Sequence, residues 1–211
     1  MNVYNFLPDA KGVILVGSAK GNERKLFSRY DLNVIFVEAI PAVYEICKTK
    51  IGGLVKAGKN YVALNGLVTD KDDQPYEFKV SSNRGLSSSI YELKDHKKIW
   101  GKVSMVSTIQ LKSVTLPTLL ERNGLDVKNY DALVMDTQGS EILVLRGAEK
   151  IISNFNYIMT EVADFEAYEG CGQLKDIEEY MKGNGFVELY RCLQVAKKGV
   201  GSYYDILYKK R

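Results

Sequence analysis

Short runs of apolar residues along this chain alternate with stretches in which apolar positions recur every three or four residues. The first pattern predicts buried strands, the second amphipathic helices. "GVILVG" (12–17) reads as a first strand, and "NERKLFSRY" (22–30) as a short helix with Leu26, Phe27 and Tyr30 on one side. "NVIFVEA" (33–39) is a second strand. "PAVYEICKTKIGG" (41–53) is a helix with Pro41 in its first turn, Ile46 and Ile51 inward, and Gly52 and Gly53 as its stop. "NYVALNGLV" (60–68) makes a third strand, and Tyr76, Phe78 and Val80 alternate in a way that predicts an antiparallel edge strand. "SVTLPTLLERNG" (113–124) groups Leu116, Leu119 and Leu120 on a helix ending before Gly124. "YDALVMD" (130–136) is a fourth strand, "SEILVLRGAEKII" (140–152) its helix, "YIMTEV" (157–162) a fifth strand and "QLKDIEEYMKGNG" (173–185) a helix. "FVELYRCL" and "YYDILYKK", joined by a glycine-containing segment, close the chain as an antiparallel hairpin. Strands alternating with helices predict an α/β fold with a mostly parallel sheet and right-handed crossovers.

Composition narrows the class. With 211 residues and 45% hydrophobic content the chain suits one domain with a full core. Lys and Arg number 29 against 26 Asp and Glu, spread along the chain apart from the C-terminal "YKKR", so no basic nucleic-acid footprint is expected. Cys47, Cys171 and Cys192 form an odd, widely spaced set without CxxC, which predicts three free thiols in a reducing, cytoplasmic setting. The first residues lack a basic and apolar leader, and no stretch approaches the roughly 20 apolar residues that span a bilayer. The expectation is a soluble protein that binds neither nucleic acid nor membrane.

The candidate chemistry lies at strand ends. In an open parallel sheet the carboxyl ends of the strands face the ligand crevice, so Asp136, closing an apolar strand, is placed for chemistry. The first strand runs into "GSAKGNE", whose Gly17 lets a ligand approach the backbone, with helix N–H groups beyond it for an anionic group; a tight turn without ligand stays open as a reading. Its G-x-x-x-G spacing departs from the G-x-G-x-x-G of dinucleotide binders. Glu38 ends the second strand about 20 residues on, where an acid receives a ribose diol in nucleoside-binding α/β folds. The glycine turn and this acid together favour an adenosine-type ligand, with a solvated acid at a strand end as the alternative.

"VMDTQGSEILVLRGAEKII" resembles the DxEGxE…VLxGA signature of the FkbM family of S-adenosylmethionine-dependent methyltransferases, with glutamine at the third place. "VILVGSAKG", "VIFVEAIPAVYEIC", "LSSSI", "SVTLPTLL", "YIMTEVADFEAYEG" and "YYDILYKK" fall in the family's order from about Gly12 onward. The resemblance implies the Rossmann-like class I methyltransferase fold, a seven-stranded sheet with an antiparallel last strand and helices on both faces. It implies S-adenosylmethionine as cofactor, with Gly17, Ser18 and Gly21 at its methionine end, Glu38 at its ribose and Asn65 beside its adenine. Asp136 and Gln138 flank the reacting centre, with Glu141 and Glu161 near. Two positions depart from the pattern: Leu15 stands where the family has an acid, and Lys20 precedes the second glycine.

Methylation of an alcohol needs an acceptor for its proton. Asp136, Glu161 and Glu141 are the candidate bases; they could also hold a divalent ion through oxygen ligands, but without a dense acidic motif the favoured expectation is no metal. His96, in "ELKDHKKIW", is expected to be a solvated loop histidine. Ser89, in the hydroxyl-rich "SNRGLSSSIYEL", and Tyr168, in "DFEAYEG", are candidates for contact with the acceptor; a plain surface loop and packing against the sheet are the respective alternatives. The expected reaction is O-methylation of a small-molecule or carbohydrate acceptor. A nucleotide-dependent oxidoreductase and a methyltransferase-like binding module without catalysis are the rival readings.

Overall fold

A computed structural model describes residues 3–211. The main sheet is built from β1 (Gly12–Val16), β2 (Asn33–Glu38), β3 (Tyr61–Asn65), β7 (Ala132–Met135), β8 (Tyr157–Ala163), β9 (Phe186–Lys197) and β10 (Gly201–Lys210). Its order is β3-β2-β1-β7-β8-β10-β9, with β10 antiparallel to both of its neighbours and the other pairs parallel. Order reverses beside β1, so a crevice opens over the ends of β1 and β7.

Both faces of the sheet are covered because its central strands are apolar on both sides. Ile14, Ile35, Leu133 and Ile158 pack against α4 (Leu116–Arg122), α5 (Glu141–Gly147) and α6 (Leu174–Gly183). Val13, Val34, Phe36, Val134 and Met159 pack against Phe6 and Leu7 of the N-terminal turns, Phe27 of α1 (Arg24–Phe27), and Cys47 and Ile51 of α2 (Pro41–Lys56). Cys47, Cys171 and Cys192 are free thiols. Among the described residues no helix is long and apolar enough to cross a membrane.

Three expectations fail here. The segment carrying Tyr76, Phe78 and Val80 is β5 (Pro75–Ser81), and it does not border the main sheet. It pairs antiparallel with β6 (Met105–Val114), which also takes β4 (Leu67–Val68) to form a second, three-stranded sheet. Phe78 buries its ring with Ile40, Leu67 and Ile90, so this sheet stands above the crevice. The sequence reading missed β6 because most of "MVSTIQLKSV" is polar or exposed, leaving little period-2 signal. Secondly, α2 runs through Gly52 and Gly53 to Lys56, since burial of Ile51 and partial burial of Leu54 offset the roughly 1 kcal/mol each glycine costs in a helix. Thirdly, Ile46 is 41% exposed, because the inward stripe of α2 is carried by Cys47 and Ile51, four positions apart.

Candidate active site

Two cavities meet at the carboxyl end of β1. The first, about 590 Å³, is lined by Gly17, Ala19, Glu38 and Ile40 from the β1 and β2 ends, by Leu67 and Phe78 of the small sheet, and by Asp136 and Gln138. The second, about 800 Å³, is lined by Leu15, Met159 and Trp100, by Gln194, and by the acids Glu23, Asp136, Glu161 and Asp205. Gly17 and Asp136 belong to both. Asp136 is therefore the side chain at the junction.

Of the glycine turn, Gly17 reaches the site and Ser18 and Gly21 do not. Gly17 has φ +83°, and a Cβ there would stand 1.9 Å from the Asp136 carbonyl oxygen, so the backbone after β1 and the backbone after β7 touch only because residue 17 has no side chain. Ser18 is buried against Cys47, its Oγ 3.9 Å from the Cys47 Sγ, and a Cβ on Gly21 would meet the same sulfur. Ala19 lines the cleft in their place. The helix N-terminus expected to hold an anion is also displaced: α1 begins only at Arg24, and the Gly17 and Ser18 N–H groups both donate to the Val37 carbonyl.

Glu38 stands where the sequence puts it, at the end of β2 and in the wall of the first cavity. Its Oε1 accepts the Ile40 N–H at 2.8 Å, and burial pushes its carboxyl up while the N–H groups of Ile40, Ala19 and Ala39 pull it down. Asn65, expected beside the cofactor's base, instead donates its amide to the Glu38 and Ala39 carbonyls at 2.7 and 3.1 Å. It ties down the turn after β2; the cavity wall at this level is Gly66, Leu67 and Val68.

Asp136 and Glu161 are hydrogen-bonded neighbours on the ends of β7 and β8. Asp136 is accessible from within the cavities, but the enclosing protein displaces bulk water and raises its carboxyl, against the pull of hydrogen bonds from Gln138 and Glu161. Glu161 is pushed well above the carboxylate range by burial, then by Asp136, Asp205 and Glu141. Both carboxyls are raised, Glu161 further than Asp136, and the two titrate as a pair.

Glu141 does other work. It is buried, its Oε1 accepts the Thr137 N–H at 2.7 Å, and its two oxygens accept the Gly139 N–H at 3.3 and 3.0 Å, so it clamps the turn between β7 and α5. Burial and the charge of Asp136 lift it to about 7. Gln138, held at φ +54° in that turn, donates Nε2 to Asp136 Oδ1 at 2.6 Å. Ser89 donates its Oγ to the Gln138 carbonyl at 2.8 Å and is fully buried, so its hydroxyl positions the turn and is not free for an acceptor. Tyr168 is 1% exposed, which rules out the stacking role expected of it; its hydroxyl donates to Gln138 Oε1 at 2.7 Å.

His96 overturns its expectation as well. It is buried, with Nδ1 2.6 Å from the Tyr203 hydroxyl and Nε2 3.0 Å from Ser87 Oγ, and its ring packs on Tyr168. The charged residues around it in sequence point to solvent; the ring does not. Burial lowers it to about 4, so it is neutral, one ring nitrogen donating and the other accepting. A histidine depressed from 6.5 to about 4 binds its proton first in the unfolded chain, so its contribution to stability is present above pH 6.5 and is lost as pH falls to 4. The loss is on the order of 3 kcal/mol. Urea unfolding across that window is expected to show the stability difference between wild type and His96→Gln shrinking with acidity; a difference independent of pH would refute this.

Sequence reading missed Ala19, Ile40, Leu67 and Phe78 in the first cavity and Glu23, Trp100, Gln194 and Asp205 in the second. Asp205 carried a signal: like Asp136, it is an acid inside an apolar strand, "YYDILY". Burial and Asp136 raise it to about 6.

Residues 25–188 match the methyltransferase FkbM domain. This chain belongs to the FkbM methyltransferases. A curated relative, the 2-O-methyltransferase NoeI of Sinorhizobium fredii (strain NBRC 101917 / NGR234), is 26% identical over 184 residues, 83% of this chain and 73% of that protein. Solved structures with the same fold include the magnesium protoporphyrin IX methyltransferase ChlM of Synechocystis PCC 6803 with bound SAM, at 10% identity and TM-score 0.53 over 97% of this chain and 72% of that one. Another is the precorrin-6y C5,15-methyltransferase of Geobacter metallireducens GS-15, at 9% identity and TM-score 0.50 over 95% of this chain and 80% of that one. The FkbM chain is thus a methyltransferase with the Rossmann-like class I sheet, and its cofactor is S-adenosylmethionine. Membership sets aside both the oxidoreductase and the binding module. The first cavity suits that cofactor: an acid for a diol at Glu38, apolar walls for a flat base at Ile40, Leu67 and Phe78, and side-chain-free backbone at Gly17.

Proposed function

We propose that this FkbM methyltransferase methylates a hydroxyl group on a carbohydrate or a sugar-bearing metabolite. The observation that carries the reading is the Asp136 carboxyl at the junction of two cavities, one suited to the cofactor and the other lined with hydrogen-bonding groups. The O-methyltransferase name of the NoeI relative supports it.

Gly17, Ala19, Glu38 and Ile40 would hold the cofactor in the first cavity, with Asp136 and Gln138 at its inner end. When bound, S-adenosylmethionine would supply an electrophilic methyl group on a positively charged sulfur, the methyl–sulfur bond breaking with its electron pair to leave a neutral thioether. The acceptor occupies the second cavity. There Trp100, 47% exposed, offers an apolar face for the C–H side of a sugar ring, while Glu161, Asp205 and Gln194 offer partners for its hydroxyls. Asp136 accepts the hydroxyl proton as the new C–O bond forms, and Leu15 and Met159 line the floor of the cavity with apolar surface. Holding the hydroxyl in place contributes as much as the base, because methyl transfer needs an in-line approach.

Incubation with methyl-labelled S-adenosylmethionine and a panel of mono- and oligosaccharides, glycolipids, nucleic acids and proteins tests the assignment. Label is expected on carbohydrate hydroxyls; transfer confined to nucleic acid or protein would overturn it. The cofactor half is tested apart from the acceptor. Glu38→Ala is expected to weaken binding of S-adenosylhomocysteine by about 1–3 kcal/mol, the range for removing one partner of a buried hydrogen-bonded group. Calorimetry giving an unchanged affinity would remove Glu38 from the cofactor site.

A further inference from the structure

The side-chain amide of Gln138 is held at both ends. Its Nε2 donates to Asp136 Oδ1 at 2.6 Å and lies 3.4 Å from Glu161 Oε2, and its Oε1 accepts the Tyr168 hydroxyl at 2.7 Å. Turned over, the amide would set its carbonyl oxygen against the two carboxyl groups. Tyr168 opposes that turn. Burial, and after it the neighbouring Tyr203 and acids, keeps its phenol protonated, so it is a donor, and the alternative acceptor within reach, the Ser87 carbonyl, is farther away at 3.3 Å. Gln138 is thereby given a fixed orientation by a residue 30 positions away in the chain.

That orientation matters because Asp136 is surrounded by acids. Glu161 faces it from β8, Asp205 from β10, Glu23 from the turn before α1, Glu38 from the end of β2 and Glu141 from α5. The charges of Asp205, Glu23, Glu38 and Glu141 oppose a negative charge on Asp136, whereas the hydrogen bond from Glu161 favours it. The Gln138 N–H favours that charge, and it lies 0.8 Å closer to Asp136 than to Glu161, the difference between 3.4 and 2.6 Å. We propose that Tyr168 is a positioning residue which, by donating to Gln138 Oε1, turns the Gln138 amide so that Asp136, and not Glu161, is the ionised member of the acid pair. The inference rests on the reading of Asp136 as the base, and it gives that base its identity: two carboxyl groups share one site, and a tyrosine that touches neither selects between them.

The test reads protonation and not turnover, so it stands whether or not the acceptor assignment holds. Carboxyl ¹³C NMR titration of the intact chain is expected to show Asp136 losing its proton before Glu161. In Tyr168→Phe, with the rest of the spectrum native, the Asp136 midpoint is expected to rise by about one pH unit or more, the scale of one lost hydrogen bond to a charged acceptor. In a Gln138→Leu background, adding Tyr168→Phe is expected to produce no further rise. An unchanged Asp136 midpoint in Tyr168→Phe, or an equal rise in both backgrounds, would overturn the proposal, the second because Tyr168 would then act through its field alone. A measurement on the unaltered protein covers the case in which Tyr168→Phe does not fold. The Gln138 amide protons are expected to show NOEs to the Glu161 methylenes, and NOEs to the Tyr168 ring in their place would overturn the proposed orientation. Once an acceptor is known, the acid limb of the kcat profile is expected to move with the Asp136 midpoint.

Discussion

Asp136→Asn is expected to lower turnover by a factor of about 10² to 10⁴, the contribution typical of a general base, and to leave the fold intact. Asp136 has no capping duty at the start of α5. The Thr137 and Gly139 N–H groups that it could have capped are taken by Glu141, and the residue at the N-cap is Ser140. Asparagine retains an oxygen for the Gln138 N–H but cannot accept a proton. It also removes one charge from a ring of acids, so stability is expected to be unchanged or higher by about 1 kcal/mol, since like charges in one site repel. Turnover measured with an identified acceptor and saturating cofactor, alongside thermal unfolding, decides the matter. Wild-type turnover would make Asp136 structural and transfer the search for the base to Glu161.

Gly17→Ala is expected to damage fold and cofactor binding together. The residue sits at φ +83°, which costs an L-residue about 1–2 kcal/mol, and its new Cβ would fall 1.9 Å from the Asp136 carbonyl oxygen. That neighbour is backbone and cannot swing aside. Overpacking of this kind costs about 1–3 kcal/mol, so a total near 2–5 kcal/mol follows. Relief requires the β1 and β7 ends to separate, which moves Gly17 and Asp136, the two residues common to both cavities. Affinity for S-adenosylhomocysteine is therefore expected to fall about tenfold or more, equivalent to about 1.4 kcal/mol. A variant that unfolds at the wild-type midpoint and binds with wild-type affinity would show that the contact between these strand ends is not needed.

Much of the frame was legible in the chain itself. Apolar runs at strand length and apolar positions at helical spacing predicted the strands of the main sheet, the helices that flank them and the antiparallel hairpin formed by β9 and β10, although the third run, 60–68, divides between β3 of the main sheet and β4 of the small one. This is local information: the residue that will be buried is apolar whichever partner buries it. Strand-end acids were legible for the same reason, because Asp136 and Glu38 interrupt runs that are otherwise apolar. The DTQGSE segment carried the resemblance that membership of the family now bears out.

What the chain did not disclose depends on partners distant in sequence. His96 looked solvated from its charged neighbours, yet its burial is set by Tyr203, 107 positions away, and by Ser87. Tyr168 looked available for stacking, and only the packed structure turns its hydroxyl to Gln138. The small sheet escaped notice because β6 is mostly exposed and gains its place by pairing with β4 and β5, through backbone hydrogen bonds that no side-chain pattern records. The gap between Asp136 and Glu161 in how far each carboxyl is raised is the furthest from sequence. Two carboxyl groups of nearly equal intrinsic acidity are separated by the depth of each, by the acids facing them and by the direction of one amide, and all three exist only once β7, β8 and β10 lie side by side. The sequence determined which residues stand at the carboxyl edge of the sheet; tertiary structure decided how far each carboxyl is raised, because acidity in an enclosed site is governed by desolvation and by hydrogen bonds that strands distant in sequence bring together.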